Sequence, residues 1–286
     1  MSVKSSPPKL IAVDLDGTLL DRAGQPHEVD RRALISLREA GVKVSILTGR
    51  LYAGSRAAAE AIGMQGPLGC ADGSHMVEHA SGTTLFHHTL DPLRSGDLRT
   101  AFSTTSASVF AFADDTVVLD DRGALFEPYM KTWSDRIERC SRVLDHTWMT
   151  GGGATAVVAI GDEDEILAAK ESVHSACDAR GAERLQIATF ALKNFGSMHG
   201  FLARAETATK GTALQWLAEH YGLTLDECVV VGDWHNDVSM FEVAGRAFAM
   251  AQAPDEVKAK ATDVLEESGA VGGGIARVAR DVFGVR

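Results

Sequence analysis

The sequence predicts an α/β fold: a core built on a parallel sheet, interrupted by an inserted α+β module. Three observations carry this. Short apolar runs alternate with helical patterns over the first 70 residues, and the same alternation resumes at Lys210. Between them the chain sets adjacent strand-like runs among helices, which is the mark of an α+β arrangement. The expected bounds are 1–85 and 206–286 for the core and 86–205 for the insertion.

In chain order, "KLIAVDL" is a buried-strand run, and "PHEVDRRALISLREAGV" places apolar residues at helical spacing before a Gly stop. "KVSILTGR" is a second strand and "LYAGSRAAAEAIGM" a second helix. The insertion offers "TLFHHTL", a helix in "PLRSGDLRTAFSTT", and two strands around the polar turn of "SVFAFADDTVVLDD". It continues with the strand "TAVVAIG", the helix "DEDEILAAKESVHSACDARG" and the strand-like "RLQIATFAL". "GGGATA" (151–156) lacks the strand–helix context of a phosphate loop and is expected to be a connector. The core then returns with the helix "KGTALQWLAEHYGL", the strand "ECVVVGD", the helix "NDVSMFEVAG", the strand "RAFAMA" and the helix "PDEVKAKA".

At 286 residues, 45% hydrophobic and 23% charged, the chain has ample apolar material for a core of this kind. Its 39 acidic residues against 28 basic ones give a net charge of −11, which argues against a nucleic-acid surface. The cysteines Cys70, Cys140, Cys177 and Cys228 form no C-x-x-C pair and are expected to be reduced. The polar lead "MSVKSSPPK" has no apolar signal core, and no run is long enough to span a bilayer, so a cytoplasmic location away from membranes is expected.

In open parallel sheets ligands bind beyond the carboxyl ends of the strands. Asp14 and Asp16 follow the first strand in "VDLDGTLLD", and Thr48 and Gly49 follow the second. "VVVGDWHNDVSM" adds Asp233 at the end of a later strand and Asp237 four residues on. One Asp at a strand end is most often a turn former or helix cap. Four acids at two strand ends of one sheet would instead raise one another's pKa values unless a cation lay among them. Mg²⁺ suits a sparse cluster of this kind, with waters and a substrate phosphate completing its shell. An EF-hand loop over 14–25 is excluded, because Gly17 is misplaced and Gln25 stands where a twelfth-position acid is needed. The Thr48 hydroxyl, the Gly49 N–H and Lys210 at a helix start are the groups expected to hold a phosphate.

Taken together and in this order, "DLDGTLL", "LTGR", "TKGTAL" and "GDWHND" resemble the four motifs of the haloacid dehalogenase-like (HAD) hydrolase superfamily. The position and α+β character of the insertion resemble the Cof-type branch, Mg²⁺-dependent phosphatases with a type-IIB cap. The likeness continues through "AGRAFAMAQAPDEVKAKATDVLEESGAVGGGIARVA". It implies a Rossmann-like core and hydrolysis of a small phosphorylated metabolite through an aspartyl-phosphate on Asp14. Asp16 would be the acid/base, and Thr48, Gly49, Lys210 and Asn236 would serve the phosphoryl group. Mg²⁺ would be held by Asp14, Asp16 (through its backbone carbonyl), Asp233 and Asp237. Two departures stand out: Asp72 in "ADGSHM", where relatives commonly carry Asn-Gly, and the bulky Trp234 and His235. An added negative charge from Asp72, if near the site, would disfavour heavily anionic substrates.

Two other functions share some of these residues. A phosphomutase would return the phosphoryl group to its substrate and would require a bisphosphorylated activator. A phospho-acceptor switch also clusters acids, a Thr and a Lys around Mg²⁺, but its acceptor Asp ends a later strand of a much shorter chain.

Overall fold

The computed structural model describes residues 7–192 and 195–285. The first six residues of the polar lead lie outside them. The chain forms two compact units, one comprising residues up to Gly49, Ser55–Phe86 and Thr209 onward, the other Arg50–Gly54 and His87–Ala208.

The chain enters through β1 (Leu10–Val13), α1 (Glu28–Glu39), β2 (Lys43–Ile46), α2 (Tyr52–Ala61), β3 (Pro67–Cys70), β4 (His75–Glu78) and β5 (Thr83–His87). The insertion follows with α3 (Pro92–Phe102), β6 (Ser108–Ala113), β7 (Thr116–Leu119), α4 (Glu127–Met130), β8 (Arg136–Arg139), α5 (Thr147–Thr150), β9 (Ala156–Gly161), α6 (Glu163–Ala179), β10 (Gln186–Ala191) and β11 (His199–Arg204). The last stretch holds α7 (Lys210–His220), β12 (Cys228–Gly232), α8 (Val238–Phe241), β13 (Arg246–Ala249), α9 (Asp255–Lys258), β14 (Asp263–Val264) and α10 (Gly274–Phe283).

The first unit is built on a five-stranded sheet in the order β14-β13-β12-β1-β2, parallel throughout. β1 is an interior strand and every one of its residues is buried, as its uninterrupted "LIAV" requires of a strand covered on both faces. A parallel bridge from Leu47 to Gly69 sets β3 beside β2, and β3 opens a small three-stranded sheet with β4 and β5. The insertion is a separate six-stranded sheet in the order β10-β11-β9-β6-β7-β8. Its pairs are antiparallel except β7 with β8. The "ADD" turn joins β6 to β7 with Asp114 and Asp115 both at positive φ, the conformation that two-residue hairpin loops favour. α3 and α6 cover an apolar interior that includes Phe102, Val157 and Phe201.

Two expected helices are shorter than their patterns. "NDVSMFEVAG" forms a 3₁₀ turn and the four residues of α8, and "PDEVKAKA" only α9. The chain must return to the sheet at Arg246, and the Gly245 N–H is already bonded to the Leu225 carbonyl (2.8 Å), which stops α8 early. Among the described residues, no helix is long and apolar enough to cross a membrane. Cys70, Cys177 and Cys228 are buried single thiols, and Cys140 is half-buried.

α1 lies along α10, and buried Asp30 of α1 fastens the two together. Its carboxylate accepts the N–H groups of Gly273 (2.7 Å) and Ala276 (2.8 Å) at the start of α10, where helix N–H groups have no partner of their own. Asp30→Ala should therefore lower stability by about 1–2 kcal/mol, the usual loss for a helix N-terminal acceptor. Denaturant unfolding measures it, and no loss would show that water replaces both bonds.

Candidate active site

The strands of the main sheet deliver the polar residues to one edge, and short backbone bonds hold them there. The Asp14 N–H donates to the Val231 carbonyl (2.9 Å), so the end of β1 is tied to the end of β12. Next to it the Leu47 N–H donates to Val13 (3.0 Å), the Thr48 N–H to Gly69 (2.9 Å), and the Asp72 N–H to Thr48 (2.8 Å). The carboxyl ends of β12, β1, β2 and β3 thus stand in a row carrying Asp233, Asp14, Thr48 and Asp72.

Lys210 joins this row from a helix. It is the first residue of α7, whose opening turn is closed by reciprocal bonds between Thr209 and Thr212. Gly211 lets α7 approach α8 closely: a Cβ there would stand 2.4 Å from the Ser239 carbonyl oxygen. The Lys210 side chain is wholly buried, and Nζ donates to Asp14 Oδ1 and Asp237 Oδ1, each at 2.6 Å. The other oxygen of Asp237 accepts the N–H groups of Asp233 (2.8 Å) and Trp234 (2.9 Å), closing the loop after β12 around it. Asp237 therefore anchors both the lysine and the backbone that presents Asp233.

Asp14, Asp233 and Asp237 each bring a carboxylate oxygen within 4.8 Å of the others, and all three are buried. Three carboxylates facing one ammonium leave an excess of two negative charges. Burial pushes Asp14 well above the ordinary carboxylate range; Lys210 pulls it down, and the charges of Asp237 and Asp233 add to the rise. Asp233 is pushed up to about 6, by burial first and then by Asp237, against the opposing effect of its hydrogen bonds. Burial alone would weaken the Lys210 ammonium, but Asp14 and Asp237 outweigh it and hold its pKa above the ordinary value. Burial raises both acids, the neighbouring carboxylates add to that rise, and the one buried ammonium only partly offsets them. A divalent cation would supply the missing charge, and the oxygens of Asp14 and Asp233 are of the hard donor type that could hold one.

Of the other expected residues, Asp16 is exposed, and its carboxylate stands outside the group of three. Gly49 lies beside Asp72 and Asn236, whose side-chain atoms a Cβ at 49 would approach to 3.5 and 3.8 Å. Asn236 donates from Nδ2 to Asp72 Oδ1 at 2.7 Å, so the unusual acid is a neighbour of Gly49 and Asn236. Ala71 and Asp72 both adopt positive φ (46° and 51°), a costly conformation for residues with a Cβ and one that clusters at functional sites. Trp234 is 45% exposed, its ring edge-on to His235, so it stands at the rim.

Two participants escape the motif reading. Thr18 donates its hydroxyl to Asp233 Oδ1 (3.2 Å), and Gln252 donates its amide to Asp233 Oδ2 (2.9 Å). Thr18 lies within "DLDGTLL", whereas Gln252 stands beyond the loop's first residues after β13 (Arg246–Ala249), where the strand-end rule does not point.

Fold and site together define a hydrolase with a buried acid–lysine centre at the carboxyl edge of a parallel sheet. The sequence profile of the haloacid dehalogenase-like hydrolases matches residues 11–278, and the chain belongs to that family. It is 27% identical over 274 residues to the 5-amino-6-(5-phospho-D-ribitylamino)uracil phosphatase YwtE of Bacillus subtilis (strain 168), covering 91% of this chain and 93% of that one. It is 28% identical to the HMP-PP phosphatase of Cronobacter sakazakii (88% and 87% covered) and 26% identical to the phosphoglycolate phosphatase of Archaeoglobus fulgidus (88% and 87%). The fold matches a haloacid dehalogenase-like hydrolase from Bacteroides thetaiotaomicron at a TM-score of 0.78 and 22% identity, over 96% of this chain and 100% of that one. It also matches a HAD subclass IIB sugar phosphatase at 0.77 and 18% identity, over 97% and 100%. The expected resemblance, to the superfamily and to its Cof-type branch with a subclass IIB insertion, is borne out.

Removing the ammonium should expose the charge excess directly. Lys210→Met leaves Asp14 and Asp237 buried without their cation, a change that typically costs about 3–5 kcal/mol. In EDTA the variant should melt well below the wild type, and added Mg²⁺ should recover part of the loss. Equal melting temperatures in EDTA would show that the three acids are not held together by the lysine.

Proposed function

We propose that this chain is a Mg²⁺-dependent phosphatase acting on a small phosphorylated metabolite, with Asp14 as the group that accepts the phosphoryl. The observation that carries this reading is the buried Asp14–Lys210–Asp237 array with Asp233 beside it. The names of the relatives support the reaction class, and the variety of their substrates supports nothing narrower than a small phosphorylated metabolite.

An Asp14 oxygen attacks phosphorus as the bond to the ester oxygen breaks, and Asp16, exposed at the mouth, gives that oxygen a proton. Asp16 then takes a proton from the water that attacks phosphorus, which frees phosphate and restores Asp14. Lys210 neutralises phosphoryl oxygens and holds Asp14 in place. The Thr48 hydroxyl and the Gly49 N–H bind the remaining oxygens, and Asn236 orients the group from the β12 side. Asp14, Asp233 and the Asp16 backbone carbonyl would hold Mg²⁺, while Asp237, its oxygens taken up by Lys210 and the 233–234 backbone, acts from behind. When bound, Mg²⁺ supplies the positive charge that offsets repulsion between an anionic nucleophile and a phosphate dianion. Uncatalysed phosphate-monoester hydrolysis needs up to about 10²¹-fold acceleration, so a nucleophile, an acid, a lysine and a metal are all needed.

The test is hydrolysis of p-nitrophenyl phosphate and a panel of phosphorylated metabolites. Chelation should abolish turnover and Mg²⁺ restore it. Asp14→Asn should lose at least about 10³-fold in kcat with the fold intact, because an amide is a poor nucleophile towards phosphorus. Activity of that variant within about tenfold of wild type would remove Asp14 from the role.

A further inference from the structure

We propose that Gln252 is a positioning residue for the metal centre, setting both the carboxylate of Asp233 and the backbone of the Asp14–Thr18 turn. This rests on the metal role proposed for Asp233.

Gln252 uses its whole amide. Nε2 donates to the Gly17 carbonyl (2.7 Å) and to Asp233 Oδ2 (2.9 Å), while Oε1 accepts the Gly269 N–H (2.9 Å). The carbonyl and the carboxylate can only accept, and the Gly269 N–H can only donate, so a single orientation of the amide satisfies all three. One side chain thus ties the loop after β1, the loop after β12 and the loop after β14.

The loops it joins are packed without slack. Gly17 has φ +82°, and a Cβ there would lie 2.4 Å from Asp233 Oδ2. A Cβ on Gly269 would lie 1.9 Å from the Gly17 carbonyl oxygen. The far side of the Gly269 loop is held by the His27 ring, whose Nε2 lies 2.8 Å from the Gly269 carbonyl oxygen. A shift of the amide would therefore be felt at both Gly17 and Asp233.

The chemistry of the donors matters as much as their position. Thr18 bonds Asp233 Oδ1 and Gln252 bonds Oδ2, and both donors are neutral. A lysine or arginine in either place would spend the negative charge of Asp233, whereas a hydroxyl and an amide fix the plane of the carboxylate and leave its charge for a cation. Each carboxylate oxygen retains further lone-pair capacity after one such bond. The bond to Gly17 also fixes the peptide that follows Gly17, one unit along from the peptide bearing the Asp16 carbonyl. Gln252 is itself exposed, so its substitution leaves the apolar core intact.

Gln252→Ala and the nearly isosteric Gln252→Met remove the three bonds. The experiment measures Mn²⁺ binding to the full chain by the electron paramagnetic resonance signal of free Mn²⁺, alongside the melting temperature of each protein in EDTA. Mn²⁺ affinity should fall by about tenfold or more in both variants, the usual effect of removing a hydrogen-bond partner of a metal-ligating group. Melting temperatures in EDTA should stay close to wild type, and the Mg²⁺ concentration needed for half-maximal activity should rise in step. Affinity within about twofold of wild type in both variants would overturn the inference. So would a loss seen only together with a collapse of the metal-free melting temperature, which would make Gln252 structural. A wild-type chain that binds no Mn²⁺ at millimolar concentration would overturn the metal reading itself, and this inference with it.

Discussion

The ammonium of Lys210, buried between the carboxylates of Asp14 and Asp237, is the constraint on which the site depends. Its two partners lie 196 and 27 residues away in sequence, and both contacts are 2.6 Å long. Burying a charge is costly unless it is paired. The fold must therefore bring three distant segments together to within a fraction of an ångström. A parallel sheet does this economically: β1 and β12 are neighbours, their carboxyl ends coincide, and α7 enters beside them through the close approach of Gly211 to Ser239. The pairing is also incomplete, since Asp233 joins the group and one ammonium cannot balance three acids. A bound cation would relieve that imbalance, which links the electrostatics of the site to its proposed chemistry.

Much of this was legible in the sequence because strand ends are legible. Apolar runs such as "LIAV" and "CVVV" must be buried strands, and polar residues that follow them at once must fall on one edge of a parallel sheet. Asp14, Thr48 and Asp233 were found in that way, and Lys210 from its place at the start of an amphipathic helix. Other features left no such signature. Gln252 acts through three bonds to loops that are remote in sequence, and no periodicity reports such contacts. The bond between Asn236 and Asp72 joins residues 164 positions apart, and only the strand order places them side by side. The strand order of the insertion and the early end of α8 depend likewise on pairings that local pattern does not encode.

The relatives sharpen the division between chemistry and specificity. Three phosphatases of about the same similarity to this chain are named for 5-amino-6-(5-phospho-D-ribitylamino)uracil, HMP-PP and phosphoglycolate. Groups that hold a phosphoryl can be common to such enzymes while those that meet the organic portion differ, since function resides in sites grafted on folds. In this chain the departures that stand beside residues proposed to hold the phosphoryl are Asp72, bonded to Asn236 and next to Gly49, and Trp234 at the rim.

The central claim is that the Lys210-held carboxylate of Asp14 becomes phosphorylated during turnover, and chemical trapping tests it most directly. An acyl phosphate is reduced by borohydride to an alcohol, whereas a carboxylate is not. Quenching the Mg²⁺-loaded enzyme with borohydride during steady-state hydrolysis of p-nitrophenyl phosphate, then mapping peptides by mass spectrometry, should convert Asp14 to homoserine in a substrate-dependent manner. Steady phosphate release with position 14 unmodified, or with the reduced residue at Asp16 or Asp233, would contradict the account.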